Sequence, residues 1–531
     1  MSNLAYSAWL LAIFALGCAA RFYGLSKLPL WMDEGHSYLT STRPLADIMF
    51  DRNDIHPPLF YVLQHFWMLI DPDIKVFRVP NAAIGSLTVL MVALATGDLV
   101  SRRAGLVAGA VLALSTAHIY FSQDARMYPL LAFGLTLATW GLVGFVERHG
   151  RKLYLAIYLV GGLVAIYSHV AALIYLAILN AATLGSALLN RMKDCILLPG
   201  LTINVVLLII SLPWLLSIPE SIGVFHSLPQ EKVTLIQWFF RNVVGYPGIP
   251  LPFKIAADAF ILLVYGIGVV FAYRSGRRTF AAASISILAV YPLAFGALNL
   301  ITPILANRVF VPCVIPASML CGAAVALFFR PAAQAGLLAA VLSLAAWSEA
   351  EAHRLRTKPE DMPQALALVD ASGFAGAPIL TCEGTAVTAY LYAPGRPIFF
   401  SFSGELIRFN DRMAGAYSLP RTEREQTNWV PVQSFLLKNG LLVDPAIAFT
   451  SDQRVVLIPT SCGADTVRSL EQLLECHGFR NIQAPTLTTP HRVVIEALWT
   501  KLSLWVAMGG RAQGQEPCEI MRRYPMVSTS R

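Results

Sequence analysis

Residues 5–34 read AYSAWLLAIFALGCAARFYGLSKLPLWMDE. The apolar run from Ala5 to Ala20 lacks the basic n-region of a cleaved signal sequence, and Cys18 in FALGCAA stands in a poor lipidation context. The run is expected to stay in the chain as a first membrane span, 5–21. Two adjacent carboxylates, Asp33 and Glu34, follow within a long polar loop, 22–78, that contains HPP at 56–58. A span that delivers charged residues straight to one face of a bilayer sets the pattern for the rest of the chain.

The 531 residues are 56% hydrophobic and 14% charged. A soluble globular chain is about 25% charged. So few charges over this length exclude a soluble multidomain protein and point to the bilayer as solvent. The net charge is +8. The Lys and Arg residues gather in short clusters between apolar runs, which is a mark of membrane topology rather than of nucleic-acid binding.

Eleven apolar runs are expected to span: 5–21, 79–100, 104–121, 128–146, 153–168, 170–189, 196–218, 256–273, 279–300, 308–329 and 332–348. Every second loop is basic: Arg102 and Arg103; Arg148, Arg151 and Lys152; Arg191 and Lys193; Arg274, Arg277 and Arg278; Arg330. The positive-inside rule puts these in the cytoplasm and the intervening loops outside. The division within 153–189 is the weakest, since one long kinked helix there would reverse the orientation of all that follows.

After Ser348 charges, Gly and Pro return to ordinary soluble density. APILTCEG, QRVVLIPTS and HRVVIEALW are expected as strands and DTVRSLEQLLECHGF as an amphipathic helix closed by Gly478. The expected organisation is a membrane domain, 1–348, an extracytoplasmic α/β domain, 349–508, and a loose tail, 509–531. Outside the cytoplasm Cys382, Cys462, Cys476 and Cys518 are free to form disulfides. There is no CxxC or Cys/His cluster for structural zinc. The absence of any Asn-x-Ser/Thr sequon favours a bacterial chain, hence a plasma (inner) membrane location.

Four polar features fall on the expected outer face. The first is the Asp33–Glu34 loop. Pro57 forces His56 into extended geometry, and LFYVLQHFWMLI after it suits a short amphipathic helix at headgroup depth. The second is SQDARMYP, with Gln123, Asp124 and Arg126 at the mouth of the fourth span. The third is His169 in YSHV, and the fourth is Arg308 in NRVFVPCVIP. The first three have plain structural explanations: a solvated acidic loop, an interfacial Arg that snorkels or pairs with Asp124, a packed His. Arg308 is a positive charge on the side the topology disfavours, and such an Arg usually has an anionic partner. Arg also recognises phosphate in a bidentate manner. A carboxylate beside two arginines at headgroup depth suggests chemistry on a lipid phosphate.

Five segments in this order resemble the motifs of GT-C glycosyltransferases: WMDEG with DIHPPLFYVL, FRVPNAAIGSLTVLMVALA, SQDARMYPLLAF, YSHVAAL and NRVFVPCVIP. The pattern is similar to that of protein O-mannosyltransferases and the bacterial aminoarabinose and galacturonosyl transferases of lipid A and core oligosaccharide. The resemblance covers about residues 1–330 and is loose beyond 350.

It implies a polytopic α-helical GT-C fold and an inverting transfer of a sugar from a polyprenyl-phosphate donor. The acceptor would be a hydroxyl of an envelope glycolipid, another glycan or a protein. Asp33 would be the base and Glu34 a brace. Arg126 and Arg308 would bind the donor phosphate, and His56, Gln123, Asp124 and His169 are candidates for substrate binding. No cofactor is expected. A divalent metal, if used, would draw on Asp33 and Asp124, but the metal-free reading is preferred. The rival class is a transporter or flippase of lipid-linked sugars, with the same arginines and no base. Such proteins often show internal repeats and mid-membrane breaks, neither of which the sequence displays. A non-catalytic receptor or scaffold would leave the Asp33 loop unexplained.

Overall fold

The computed structural model describes residues 1–50, 56–189, 196–216, 251–301, 307–326, 330–356, 358, 361–371, 375–402, 405–411, 414, 455–458, 468–470, 472–474, 479–483 and 505–509. The expected outer loop 219–255, the strand HRVVIEALW, Cys462, Cys476 and Cys518 lie wholly or mostly outside these residues, as does the tail beyond Gly509. The described residues form two compact units. One comprises Met1–Ser26 and Leu45–Arg356; the other comprises Lys27–Pro44 and the described residues after Arg356.

The first unit is helical: α1 Asn3–Phe22, then, after the excursion to the second unit, α3 Leu45–Met49, α4 Leu59–Met68, α5 Val79–Leu99, α6 Arg102–Ala113, α7 Thr116–Ser122, α8 Tyr128–Glu147, α9 Lys152–Ile166, α10 Ala171–Leu189, α11 Leu197–Leu215, α12 Leu251–Arg274, α13 Arg278–Asn299, a 3-10 segment Asn307–Cys313, α14 Val314–Ala326 and α15 Pro331–Leu355. The element numbered α2, Met32–Thr42, belongs to the second unit. Among the described residues nine helices are long and apolar enough to cross a membrane, and the pair α6–α7, bent by 61°, makes a tenth if it counts as one span. The apolar helix α9 has 15 residues, short of the ~20 that a straight span needs. Together these coincide with the eleven apolar runs. The division within 153–189 falls at 167–170, where α9 ends and α10 has yet to begin.

The bend between α6 and α7 was not expected, because hydropathy is continuous across it. Broken helices in apolar surroundings must have their freed carbonyls satisfied. Arg21, fully buried at the end of α1, does this: its Nη1 donates to Ala113 O at 3.3 Å and its Nη2 to Leu112 O at 3.0 Å. Helices α8 and α9 pack backbone to backbone. A Cβ on Gly141 would meet the main chain of Tyr158, and one on Gly161 that of Ala138, so small residues set this contact. A hydrogen-bonded triangle joins α9, α10 and α11. The Tyr158 hydroxyl donates to Asn204 Oδ1 at 2.6 Å, Asn204 Nδ2 to Asn180 Oδ1 at 2.8 Å, and Asn180 Nδ2 to the Tyr158 oxygen at 2.8 Å.

The second unit is α/β. After α2 it contains α16 Met362–Val369, β1 Ile379–Thr381, α17 Glu383–Tyr392, β2 Ile398–Phe402, β3 Glu405–Phe409, β4 Val455–Ile458, β5 Phe479–Gln483 and β6 Trp505–Gly509. The sheet order is β3-β2-β1-β4-β6-β5, with β1 parallel to β2 and β4 and the outer pairs antiparallel. Side chains alternate between faces. Ile379, Ile398, Phe400, Val456 and Ile458 join one core cluster with α16 and α17, whereas Leu380, Phe399, Val455 and Leu457 join another with Leu470, Leu473 and Leu474. β1 and β4 are buried along their whole length, as strands covered on both faces must be. Cys382, at the end of β1, is disulfide-bonded.

Candidate functional site

In the membrane unit, Arg126 lies on the turn 123–127 between α7 and α8. Its amide donates to Asp124 O at 2.7 Å, so the turn is tight. Asn81, just after Pro80 in the first turn of α5, holds it from behind. Its Nδ2 donates to Asp124 O at 2.7 Å and Arg126 O at 2.6 Å, and its Oδ1 accepts Gln64 Nε2 from α4 at 2.8 Å. A buried amide that satisfies two carbonyls fixes where the Arg126 side chain departs. Arg126 is 4% exposed, and its Nη2 donates to His56 Nε2 at 2.9 Å. Since Arg has no acceptor, this nitrogen of His56 is the unprotonated one.

His56 is brought here by the HPP turn. The Leu59 amide, at the start of α4, donates to Tyr167 O at 3.1 Å. That bond ties the turn to the α9–α10 junction. The His56 and His169 rings stand 5.5 Å apart, and Tyr128, the first residue of α8, packs on His169 at 5.8 Å. His169 Nδ1 accepts the Ala171 amide at 3.0 Å and so caps α10 with an imidazole nitrogen. Burial, then the nearby charges of Arg308 and Arg126, push the His169 pKa down to about 3. His169 is therefore neutral, with its proton on Nε2. Arg308 is partly buried at the start of the 3-10 segment, which the Tyr291 hydroxyl anchors by donating to Val309 O at 3.0 Å.

The structure thus brings Arg126, Arg308, His56 and His169 together. Two guanidinium groups and a neutral imidazole N–H form a site suited to an anion with several oxygens.

Gln123 faces the framework. Its Nε2 donates to Arg21 O and Tyr23 O, each at 2.9 Å, at the end of α1. Its Oε1 accepts Arg356, whose other nitrogen pairs with Glu349 of α15 at 3.0 Å. Asp124 is buried beside it, and its carbonyl is one of those held by Asn81. The sequence reading missed Asn81, Gln64, Arg21, Glu349 and Arg356. Only Arg21, a charge at the end of an apolar run, carried a visible signal.

Asp33 and Glu34 belong to the α/β unit. The sequence suggested a loop; the segment is instead helix α2, and both carboxylates lie in its first turn. Acidic side chains there are favoured by the helix dipole. The two diverge as adjacent helical residues do. Glu34 is fully buried, accepts the Trp31 amide at 3.4 Å and pairs with Lys358 at 3.6 Å. Asp33 is only partly buried, and its carbonyl accepts the Ser37 hydroxyl at 3.1 Å. Asp33 and Asp124 lie in different units. Among the described residues no group of three or more His, Cys, Asp or Glu is arranged to hold a metal ion.

No protein-family model matches the sequence, and no curated protein sequence matches it. Solved structures do match. ArnT from Cupriavidus metallidurans in the apo state is 14% identical with a TM-score of 0.59, over 96% of this chain and 100% of that one. The same protein bound to undecaprenyl phosphate gives 14% identity and a TM-score of 0.55, over 95% and 100%. A fainter likeness, TM-score 0.49 at 12% identity over 90% and 73%, is to the archaeal oligosaccharyltransferase AglB from Archaeoglobus fulgidus in complex with an inhibitory peptide and a dolichol-phosphate. The match to ArnT runs through both units, and the chain is a polytopic membrane protein of the GT-C fold with an appended α/β unit.

Proposed function

We propose that the protein is an inverting glycosyltransferase that moves a sugar from a polyprenyl-phosphate donor to a hydroxyl of an envelope acceptor. The observation that carries this reading is the convergence of Arg126 and Arg308 on a neutral His169, in a fold whose solved relative ArnT binds undecaprenyl phosphate. Arg126 and Arg308 take the donor phosphate. The His169 Nε2–H donates to a phosphate or sugar oxygen, and Gln123 positions the Arg126 turn. Asp33 takes the acceptor proton as the hydroxyl oxygen bonds to the anomeric carbon. The bond from that carbon to the phosphate oxygen breaks, and the lipid phosphate departs with the electron pair. The arginines stabilise the charge that grows on it, an interaction stronger in the transition state than in the ground state. No step requires a divalent cation, so transfer should survive chelation.

The acceptor is a lipid A or core oligosaccharide, another glycan or a protein, and the reaction takes place on the outer face of a bacterial inner membrane. Two observations support that orientation: the regular alternation of basic loops and the Cys382 disulfide, which suits an oxidising compartment. The test is mass analysis of envelope glycans and glycolipids from a deletion strain, alongside transfer by the purified protein from a labelled polyprenyl-phosphate sugar. Loss of one sugar from one acceptor class, with transfer in vitro, is the expected result. Translocation of the donor across vesicles without transfer would favour the transporter instead.

A further inference from the structure

The α/β unit contains a piece of chain from far earlier in the sequence. Residues 27–44 belong to it, and Leu39 of α2 is 3% exposed within the same core cluster as Ile379, Val387 and Val456. Four further contacts seat α2. A Cβ on Gly35 would lie 2.9 Å from Val387 Cγ1, so glycine lets α2 close onto α17. Met32 fills the space beside Gly384 at the start of α17, where a Cβ would lie 2.9 Å from Met32 Cγ. The Leu30 amide donates to the Tyr392 hydroxyl at 2.6 Å. Lys358 and Glu34 pair at 3.6 Å with side chains 2% and 0% exposed.

The place is informative. β1 leads through α17 to β2 on one side, and β4 lies on its other side. The carboxyl end of β1 is thus at the point where strand order reverses, which in open α/β sheets is where a ligand binds. Here Met32 of the chain itself covers the start of α17. A buried ion pair is also a poor source of stability, since desolvation offsets its attraction. The Glu34–Lys358 pair makes better sense as a device that fixes one orientation of the first turn of α2.

We propose that the α/β unit positions Asp33: α17 is the platform for α2, and Lys358, through Glu34, locks its first turn. Lys358, Gly35 and Val387 are positioning residues. This rests on the reading of Asp33 as the base. It gives the C-terminal unit a part in holding the base.

The test uses the full-length protein in nanodiscs, with single-turnover transfer and donor-lipid affinity measured separately. Gly35→Ala sets a methyl against Val387 and tilts α2. Transfer should fall on the order of 10²-fold, the scale of a 1 Å misplacement, while donor affinity holds. Val387→Ala in the same chain removes the obstructing Cγ1 and should restore most of the loss. Lys358→Met should also slow transfer, and adding Glu34→Gln, which removes the stranded charge but does not rebuild the pair, should leave transfer slow even where it restores the thermal midpoint. If Lys358→Met fails to fold, the Gly35→Ala and Val387→Ala pair decides alone.

Asp33→Asn separates the two claims. Wild-type transfer by Asp33→Asn overturns the base assignment and this inference with it. Inactive Asp33→Asn beside a folded Gly35→Ala protein with wild-type transfer overturns this inference only, as does a Gly35→Ala, Val387→Ala protein no better than Gly35→Ala alone.

Discussion

The Arg126 guanidinium donates to His56 Nε2 at 2.9 Å, joining the turn before α8 to the HPP turn before α4. The arginine is held by a neutral imidazole that leaves its charge intact. Arg126→Lys keeps the charge and loses both the fork and this tether, so transfer should fall. Arg126→Ala and Arg308→Ala should each cost on the order of 10²–10³-fold in kcat, as loss of a transition-state donor does. A folded Arg308→Ala protein with near-normal turnover would reduce that residue to a structural role.

Asn81 makes a second prediction, because it touches Arg126 only through the main chain. Asn81→Ala strands the carbonyl of Arg126 and leaves that of Asp124 with the Arg126 amide as its donor, a cost of about 1–3 kcal/mol for the unsatisfied group. Asn81→Asp turns an acceptor toward two carbonyls and should be worse. Donor-lipid affinity and thermal midpoint, measured together, check this. A weakened affinity that tracks the Arg126 variants, beyond what the lost stability explains, is the expected pattern.

The depressed pKa of His169 predicts a pH dependence. Its folded value of about 3 lies below the ordinary 6.5. Protonation is therefore resisted by the folded state. The site's contribution to stability is complete above about 6.5 and is lost as pH falls from there toward 3. Thermal midpoints from pH 7 to pH 4 should fall less steeply for His169→Gln than for the wild type. Equal slopes would mean that His169 titrates freely in the folded protein.

The triangle of Tyr158, Asn180 and Asn204 concerns stability alone. Asn204→Leu removes one corner and leaves Tyr158 and Asn180 with fewer partners in apolar surroundings. Hydrogen bonds between membrane helices are worth about 0.6–2 kcal/mol, so the thermal midpoint in detergent should drop while specific activity of the folded fraction holds. A double-mutant cycle with Asn180→Leu should show coupling, since the two amides bond directly.

What the sequence revealed follows from the nature of each signal. Spans were legible because hydropathy and basic loops are local. Arg126, His169 and Arg308 were legible because polar residues at the mouths of apolar runs stand out. Asn81 and Gln64 did not stand out, because an amide inside a helix has no sign in a hydropathy profile. The bend at Leu114 and Ser115 was hidden in a continuous apolar run, although Arg21 hinted at carbonyls to satisfy. The Glu34–Lys358 pair joins residues far apart in the sequence, and only folding brings them together. The helical state of Met32–Thr42 was also missed, because its Gly, Ser and Thr residues are poor helix formers and packing on α17 stabilises it instead.

The central claim is that Asp33 takes the acceptor proton. A sugar hydroxyl is too weak an acid to ionise first, and a positioned carboxylate contributes roughly 10²–10⁴-fold to such a step. Asp33→Asn keeps size and hydrogen-bonding reach but removes basicity. Single-turnover transfer from a labelled polyprenyl-phosphate sugar in nanodiscs should be nearly abolished in Asp33→Asn, with expression, thermal midpoint and donor-lipid binding preserved. Transfer at the wild-type rate by a folded Asp33→Asn protein would contradict the account.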